Sequence, residues 1–210
     1  MCEKTNINIE DISLGMGLDT RIGSRFLRAG PAYGGSCFPK DTKGLVSVAE
    51  KNKENLSLVK SVIKSNENRI SLLTKRVHKI LGKKLKNKRI SFLGVTFKPN
   101  TDDMRDSTSL FMIPYLTKKG ALISYYDPSG KKKEFNNLTR CVYKKSIKEN
   151  CANADLIIIL TEWDEFKSID FKKIVKKNNI KIYDLRNLYT AEEMKRNKIK
   201  YFSVGRPDTN

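Results

Sequence analysis

Residues 89–128 read RISFLGVTFKPNTDDMRDSTSLFMIPYLTKKGALISYYDP. The opening RISFLGVTF is a buried-type strand run. Residues 107–119 then place Leu110, Ile113 and Leu116 at helical spacing, and Gly120 supplies a stop. ALISYY (121–126) is the next strand, closed by Asp127 and Pro128. Strand, helix and strand in succession predict a parallel βαβ unit with a right-handed crossover. The same alternation continues toward the C-terminus. Helices are expected over 144–150, 171–177 and 191–197, and strands over 155–161 (DLIIILT), 181–184 and 200–204. The fold class is therefore α/β, with a Rossmann-like parallel sheet over 86–210.

On the N-terminal side, residues 83–88 form a short polar connector. Residues 56–81 are the clearest helix. Val59, Val62, Ile63, Ile70, Leu73, Val77, Ile80 and Leu81 recur at steps of three and four, with Gly82 as the stop. A helix of this length joins two domains, packs across a dimer, or does both. His78 falls among its polar positions and is expected at the surface. Residues 8–12 start a short helix, followed by glycine-punctuated turns and a Gly- and Pro-rich loop over 30–35. Asp41 is expected to cap a helix running to Ala49. Residues 1–85 thus form a central helical region ahead of the α/β domain.

The chain has 210 residues, 39% of them apolar, which is enough to build a core. The longest apolar run, 156–161, is far short of the roughly 20 residues that cross a bilayer. The opening residues are too polar for a secretory signal, so a cytoplasmic protein without a membrane partner is expected. The net charge is +19. A nucleic-acid binder is one reading of that charge. However, 31 of the 42 basic residues are lysines, scattered in short separate runs. A lysine-rich solvated surface is the better reading, and nucleic acid is not the expected partner. The four cysteines, Cys2, Cys37, Cys141 and Cys151, show no C-x-x-C spacing, so neither a metal site nor a disulfide scaffold is expected.

No G-x-G-x-x-G follows the first strand; Gly94 stands alone before VTFKP. The standard dinucleotide fingerprint is therefore absent, although ligands of open α/β sheets still bind at the carboxyl ends of the strands. That edge carries Phe97, Lys98, the 100–105 loop and Asp127-Pro128. A separate candidate is Cys37, within GGSCFPKD (34–41). Two glycines permit close backbone approach, and a following helix start and Lys40 favour thiolate. Asp41 can cap the helix or orient a water. The residues alone leave two readings open: an activated nucleophile, or a glycine-rich turn around a buried cysteine.

The motifs Arg21-Ile22-Gly23, FLRAG (26–30), GGSCFPKD (34–41), FKPNTDDMRDS (97–107), Tyr126-Asp127-Pro128, Thr161-Glu162-Trp163 and Asp184-Leu185-Arg186-Asn187 together resemble the UDP-glucose 6-dehydrogenase family, in order and along nearly the whole chain. The resemblance implies oxidation of UDP-glucose to UDP-glucuronate with two NAD⁺ and one water, through a thiohemiacetal and a thioester. It implies Cys37 as nucleophile and Asp41 at the hydrolytic water. Phe26, Leu27, Arg28, Ala29, Gly30, Gly34 and Lys98 are implied at the sugar nucleotide, and Lys40 and Arg105 at NAD. Arg21 and Arg186 are further candidates for phosphate contact, with surface ion pairs as the alternative. Tyr33 and Phe38 favour the UDP-glucose branch over relatives acting on GDP-mannose or UDP-N-acetyl sugars. Ala32 departs from the glycine common there, and would be strained if its φ were positive.

Family members begin with an NAD-binding Rossmann domain, which this sequence lacks. The chain alone is therefore expected not to turn over. A fragment, a split-gene product complemented by a separate NAD-binding chain, and a decayed copy all fit. A non-catalytic UDP-sugar-binding or dimerisation module is the alternative function, and a homodimer through the long helix is expected.

Overall fold

The computed structural model describes residues 1–177 and 179–207. Helices α1 (Cys2–Thr5), α2 (Ile9–Gly17), α3 (Phe38–Lys51) and α4 (Ser57–Leu81) come first. Strand β1 (Arg89–Leu93) then opens the α/β part, followed by α5 (Ser109–Lys118), β2 (Leu122–Tyr126), β3 (Cys141–Tyr143), α6 (Ile147–Cys151), β4 (Leu156–Ile159), α7 (Phe171–Ile174), β5 (Lys181–Asp184), α8 (Ala191–Arg196) and β6 (Lys200–Ser203). The six strands are all parallel, in the order β3-β2-β1-β4-β5-β6. The chain starts at β1 in mid-sheet and later returns to its other side at β4, so the carboxyl edge between β1 and β4 is the topological switch point.

Side chains alternate across the strands and build a core on each face. Ile90, Phe92, Ile158 and Tyr183 meet Leu73 and Val77 of α4 and Met112, Ile113 and Leu116 of α5. Leu93, Ile157, Ile159 and Ile182 meet Cys151, Phe166, Phe171 and Met194 on the opposite face. Every residue of β4 is buried, and each such aliphatic side chain stabilises the fold by about 1.5–3 kcal/mol.

The long amphipathic helix finds its partner along one half only. Leu73, Thr74, Val77 and Ile80 of α4 are buried, whereas Leu58 and Val62 are exposed. In α3 only Pro39 is buried, and Leu45 and Val48 face outward. The first residues of the chain close onto its last strand. Glu3 accepts the Gly205 N–H at 2.9 Å and pairs with Arg76 at 3.2 Å. The Ile9 N–H donates to the Gly205 carbonyl at 2.7 Å, and Arg206 pairs with Glu10.

Several expectations change in detail. Helix α3 starts at Phe38, so Cys37 itself is the N-cap and Asp41 lies inside the first turn rather than capping it. The helix expected over 144–150 begins at Ile147, because the Ser146 side chain caps it by accepting the Glu149 N–H. Strand β3 was not expected: it is a three-residue edge strand without alternation. Lys132, in the middle of a lysine run, is buried rather than solvated. Its ammonium donates to Ser129 Oγ at 2.6 Å and lies 4.0 Å from Asp127. His78 is half-buried, with Nδ1 3.3 Å from the Lys83 carbonyl and its ring edge-on to Tyr115.

Candidate functional site

The Cys37 loop is seated against the carboxyl end of β1 by two glycines without room for side chains. Gly35 adopts φ +86°, and a Cβ there would stand 2.6 Å from the Phe97 ring. A Cβ on Gly34 would stand 2.3 Å from the Asp106 carbonyl oxygen. The Gly35 N–H donates to the Arg105 carbonyl at 2.9 Å. This interlock brings the 34–41 motif and the 97–107 motif, more than fifty residues apart in sequence, to one place. Ala32 does not take a positive φ, so the anticipated strain does not arise.

At the interlock, Cys37 is exposed at the N-terminus of α3, with Ser36 Oγ 3.6 Å from its Sγ. The buried-cysteine reading is thereby excluded. Lys40 and Asp41 are exposed on the first turn of α3, their charged groups 3.5 Å apart. Lys98 is exposed beside the Phe97 ring, its ammonium 5.3 Å from the centroid. Arg105 is exposed and makes paired bonds to the Asp103 carboxylate, both at 2.9 Å. The Arg105 guanidinium holds the Asp103 carboxyl below its ordinary value. That pairing is expected to persist as pH falls through 4 and to be lost only below the ordinary Asp range, as Asp103 takes up its proton. A carboxyl NMR titration of Asp103 checks this; a midpoint at or above the ordinary value contradicts it.

The thiols are expected to separate cleanly. Burial pushes Cys141 and Cys151 up to about 12, and Cys151 is fully enclosed. At pH 8, iodoacetamide should label Cys37 in the native chain and leave Cys151 unlabelled until denaturant is added. Peptide mass mapping reads the order of labelling.

The 26–30 segment borders a cleft of about 370 Å³ between α2 and the loop after β5. Leu27, Arg28 and Ala29 line it with Ile9, Ser13 and Arg186. The Ser13 hydroxyl on α2 donates to the Leu27 carbonyl and fixes the segment. Phe26 does not line the cleft; it is 90% exposed, with Arg25 over its ring. A larger groove of about 610 Å³ lies between α7 and α8, but it contains none of the predicted site residues.

Arg186 is held by backbone carbonyls and is not a simple surface ion pair. Its guanidinium donates to the carbonyls of Leu160 at 2.9 Å and Phe97 at 2.8 Å, and pairs with Glu162 at 2.9 Å. It also lies against Gly30. Burial lowers its pKa, an effect opposed by the Glu162 and Asp184 charges. Arg186 is thus a clasp across the ends of β1, β4 and β5 that backs the 26–30 segment. Asp184 sets the clasp in place by accepting the N–H groups of Arg186, Leu188 and Tyr189 and the Tyr201 hydroxyl. Arg21 differs from it, being exposed and paired with Asp19. The role of Asp184 was not legible in the sequence, where the residue showed only as part of a motif.

The α/β domain does not fit a dinucleotide in the standard manner. Such a seat needs an open glycine turn after the first strand and a free carboxylate at the end of the second. Gly94, at φ +75°, is packed against Thr161, whose hydroxyl donates to the Thr96 carbonyl at 2.6 Å. Asp127 is fully buried and accepts the N–H groups of Val95 at 2.7 Å and Thr96 at 3.3 Å. The carboxylate expected at the ligand edge is consumed by the β1 turn itself.

A six-stranded parallel sheet of doubly wound, Rossmann order is thus joined to a glycine-held, exposed cysteine. Residues 1–68 match the central domain of the UDP-glucose/GDP-mannose dehydrogenase family, and residues 91–191 match its UDP-binding domain. The chain belongs to that family. It is 41% identical over 211 residues to a UDP-glucose 6-dehydrogenase of Rhizobium meliloti, covering 99% of this chain and 48% of that protein. It is 41% identical over 210 residues to a UDP-glucose 6-dehydrogenase of Rickettsia prowazekii, with 98% and 48% covered. A solved UDP-glucose dehydrogenase from Pyrobaculum islandicum superposes with a TM-score of 0.83 at 26% identity, covering 98% of this chain and 45% of that one. The chain spans about half the length of the curated relatives it matches.

Proposed function

We propose that this chain supplies the sugar-nucleotide seat and the reactive cysteine for oxidation of UDP-glucose to UDP-glucuronate. The observation that carries the reading is the interlock of the Gly34-Gly35 turn with the 97–106 loop, which sets an exposed Cys37 at the sheet's carboxyl edge. Residues 1–85 act as the central helical part and 86–210 as the UDP-binding part. Phe26, Leu27, Arg28, Ala29, Gly30, Gly34 and Lys98 hold the sugar nucleotide. With C6 of the sugar at the aldehyde level, the Cys37 thiolate adds to that carbon as a thiohemiacetal. At the acid level the same sulfur carries a thioester. Water held near Asp41 attacks the thioester, releasing the carboxylate and returning the thiol.

NAD, the hydride acceptor of the reaction, does not fit the α/β domain of this chain, so no hydride step is assigned to it. Lys40 and Arg105 are exposed beside the cysteine and are assigned to contact NAD held by a domain outside this chain. A second copy is proposed to cover the first half of α4, where Leu58 and Val62 are exposed, as are Leu45 and Val48 of α3.

Titration of UDP-glucose into the chain tests the reading. Saturable binding is expected with a Kd of about 1 µM to 1 mM, the ordinary range for enzyme substrates, together with slower alkylation of Cys37. Failure of both UDP-glucose and UDP to bind would overturn it.

A further inference from the structure

We infer that Asn66 is a positioning residue for Cys37, an inference that rests on reading Cys37 as the nucleophile. Asn66 lies on α4, outside every motif quoted above. Its carboxamide pairs with both backbone groups of one residue: Oδ1 accepts the Tyr33 N–H at 2.9 Å, and Nδ2 donates to the Tyr33 carbonyl at 3.1 Å. This side chain stands in for a strand's backbone, supplying one donor and one acceptor in register. The pairing joins residues 33 apart in sequence and holds the loop at the point where it leaves Pro31 and Ala32.

The second grip is the interlock already described, where Gly34 and Gly35 press on Asp106 and Phe97. Tyr33 itself packs edge-on against Phe38, the first residue of α3, with ring centroids 4.7 Å apart. The loop from Tyr33 to Cys37 is therefore held by α4 on one side and by the 97–106 loop on the other. Released from α4, it keeps the glycine contacts and the Tyr33–Phe38 packing within its own segment, and the cysteine sulfur is less firmly placed. Placement matters here, because a nucleophile misplaced by about 1 Å loses much of its effective concentration.

The geometry distinguishes the substitutions. Asn66→Asp keeps the acceptor but sets a carboxylate oxygen against the Tyr33 carbonyl. Asn66→Ala removes both partners. Neither change touches the buried core, since Asn66 is only half-buried.

The test uses the full chain in a Cys2→Ser background, with a trifluoromethyl tag on Cys37. Two readouts are taken: hydrogen–deuterium exchange of the Tyr33 amide, and the ¹⁹F spectrum of the tag. Parent chain is expected to show a protected Tyr33 amide and one narrow resonance. Asn66→Ala and Asn66→Asp are expected to speed Tyr33 exchange by about tenfold or more and to split or broaden the resonance. Circular dichroism and Tm should stay close to those of the parent. Unchanged exchange, or a single unshifted resonance in both variants, would overturn the inference. UDP-glucose binding by the parent is read separately: its absence would defeat the proposed function and leave the clamp to the exchange and ¹⁹F results.

Discussion

Replacing Cys37 with serine is expected to reduce UDP-glucuronate formation by on the order of 1000-fold or more, when the chain is assayed with a separately supplied NAD-binding domain. Serine is smaller and far less nucleophilic at neutral pH, and it forms an ester where the thiol forms a thioester. The substitution leaves the surroundings intact. Cys37 is exposed, makes no side-chain capping bond to α3, and has Ser36 Oγ 3.6 Å from its Sγ. UDP-glucose affinity should therefore stay within about twofold of the parent, which separates lost chemistry from lost binding. Product is followed by chromatography, and affinity by calorimetry. Retention of a tenth of the parent rate by Cys37→Ser would remove the sulfur from the reaction.

The second large effect is on stability. Gly94→Val is expected to destabilise the chain by about 4 kcal/mol. Left-handed backbone costs a residue with a Cβ about 1–2 kcal/mol, and overpacking adds about 1–3 kcal/mol. Gly94 sits at φ +75°, and a Cβ there would stand 2.5 Å from Thr161 Cβ and 3.1 Å from its backbone nitrogen. Relief requires Thr161 to move, which sacrifices its bond to the Thr96 carbonyl. The Val95 and Thr96 amides would also shift away from buried Asp127. Urea unfolding measures the change. A loss under about 1 kcal/mol would mean that the β1–β4 junction yields more readily than its packing indicates.

Much of this architecture was legible in the sequence. The runs RISFLGVTF and DLIIILT carry β1 and β4 because a strand covered on both faces has no polar alternation to obscure it. The long helix was legible from its period, but the period does not reveal that only its second half meets a core. Strand β3 was hidden because three edge residues, all apolar and none fully buried, are too few to show a pattern. In the candidate site, the cysteine loop and the 97–107 motif were legible from their unusual residues. Their contact was not, because it depends on absent side chains at Gly34 and Gly35 meeting backbone far along the chain. Arg186 shows the same limit. An arginine in sequence does not reveal which carbonyls it will hold, and the grip on Leu160 and Phe97 shows only in three dimensions. Asn66 carried no signal at all, since a polar residue on an amphipathic helix is unremarkable until its partner is known.

The junction of Glu3 with Gly205, and of Glu10 with Arg206, spans sequence separations of 202 and 196 residues. Closing so long a loop is entropically costly and gains nothing until both ends are built. The parallel sheet must exist before β6 presents Gly205, so docking of α1 and α2 is expected to follow sheet formation. Ser13 on α2 then fixes the 26–30 segment only when that docking is complete. The cleft is then expected to form late, and a slow kinetic phase seen from that segment, absent from the sheet, would be its signature.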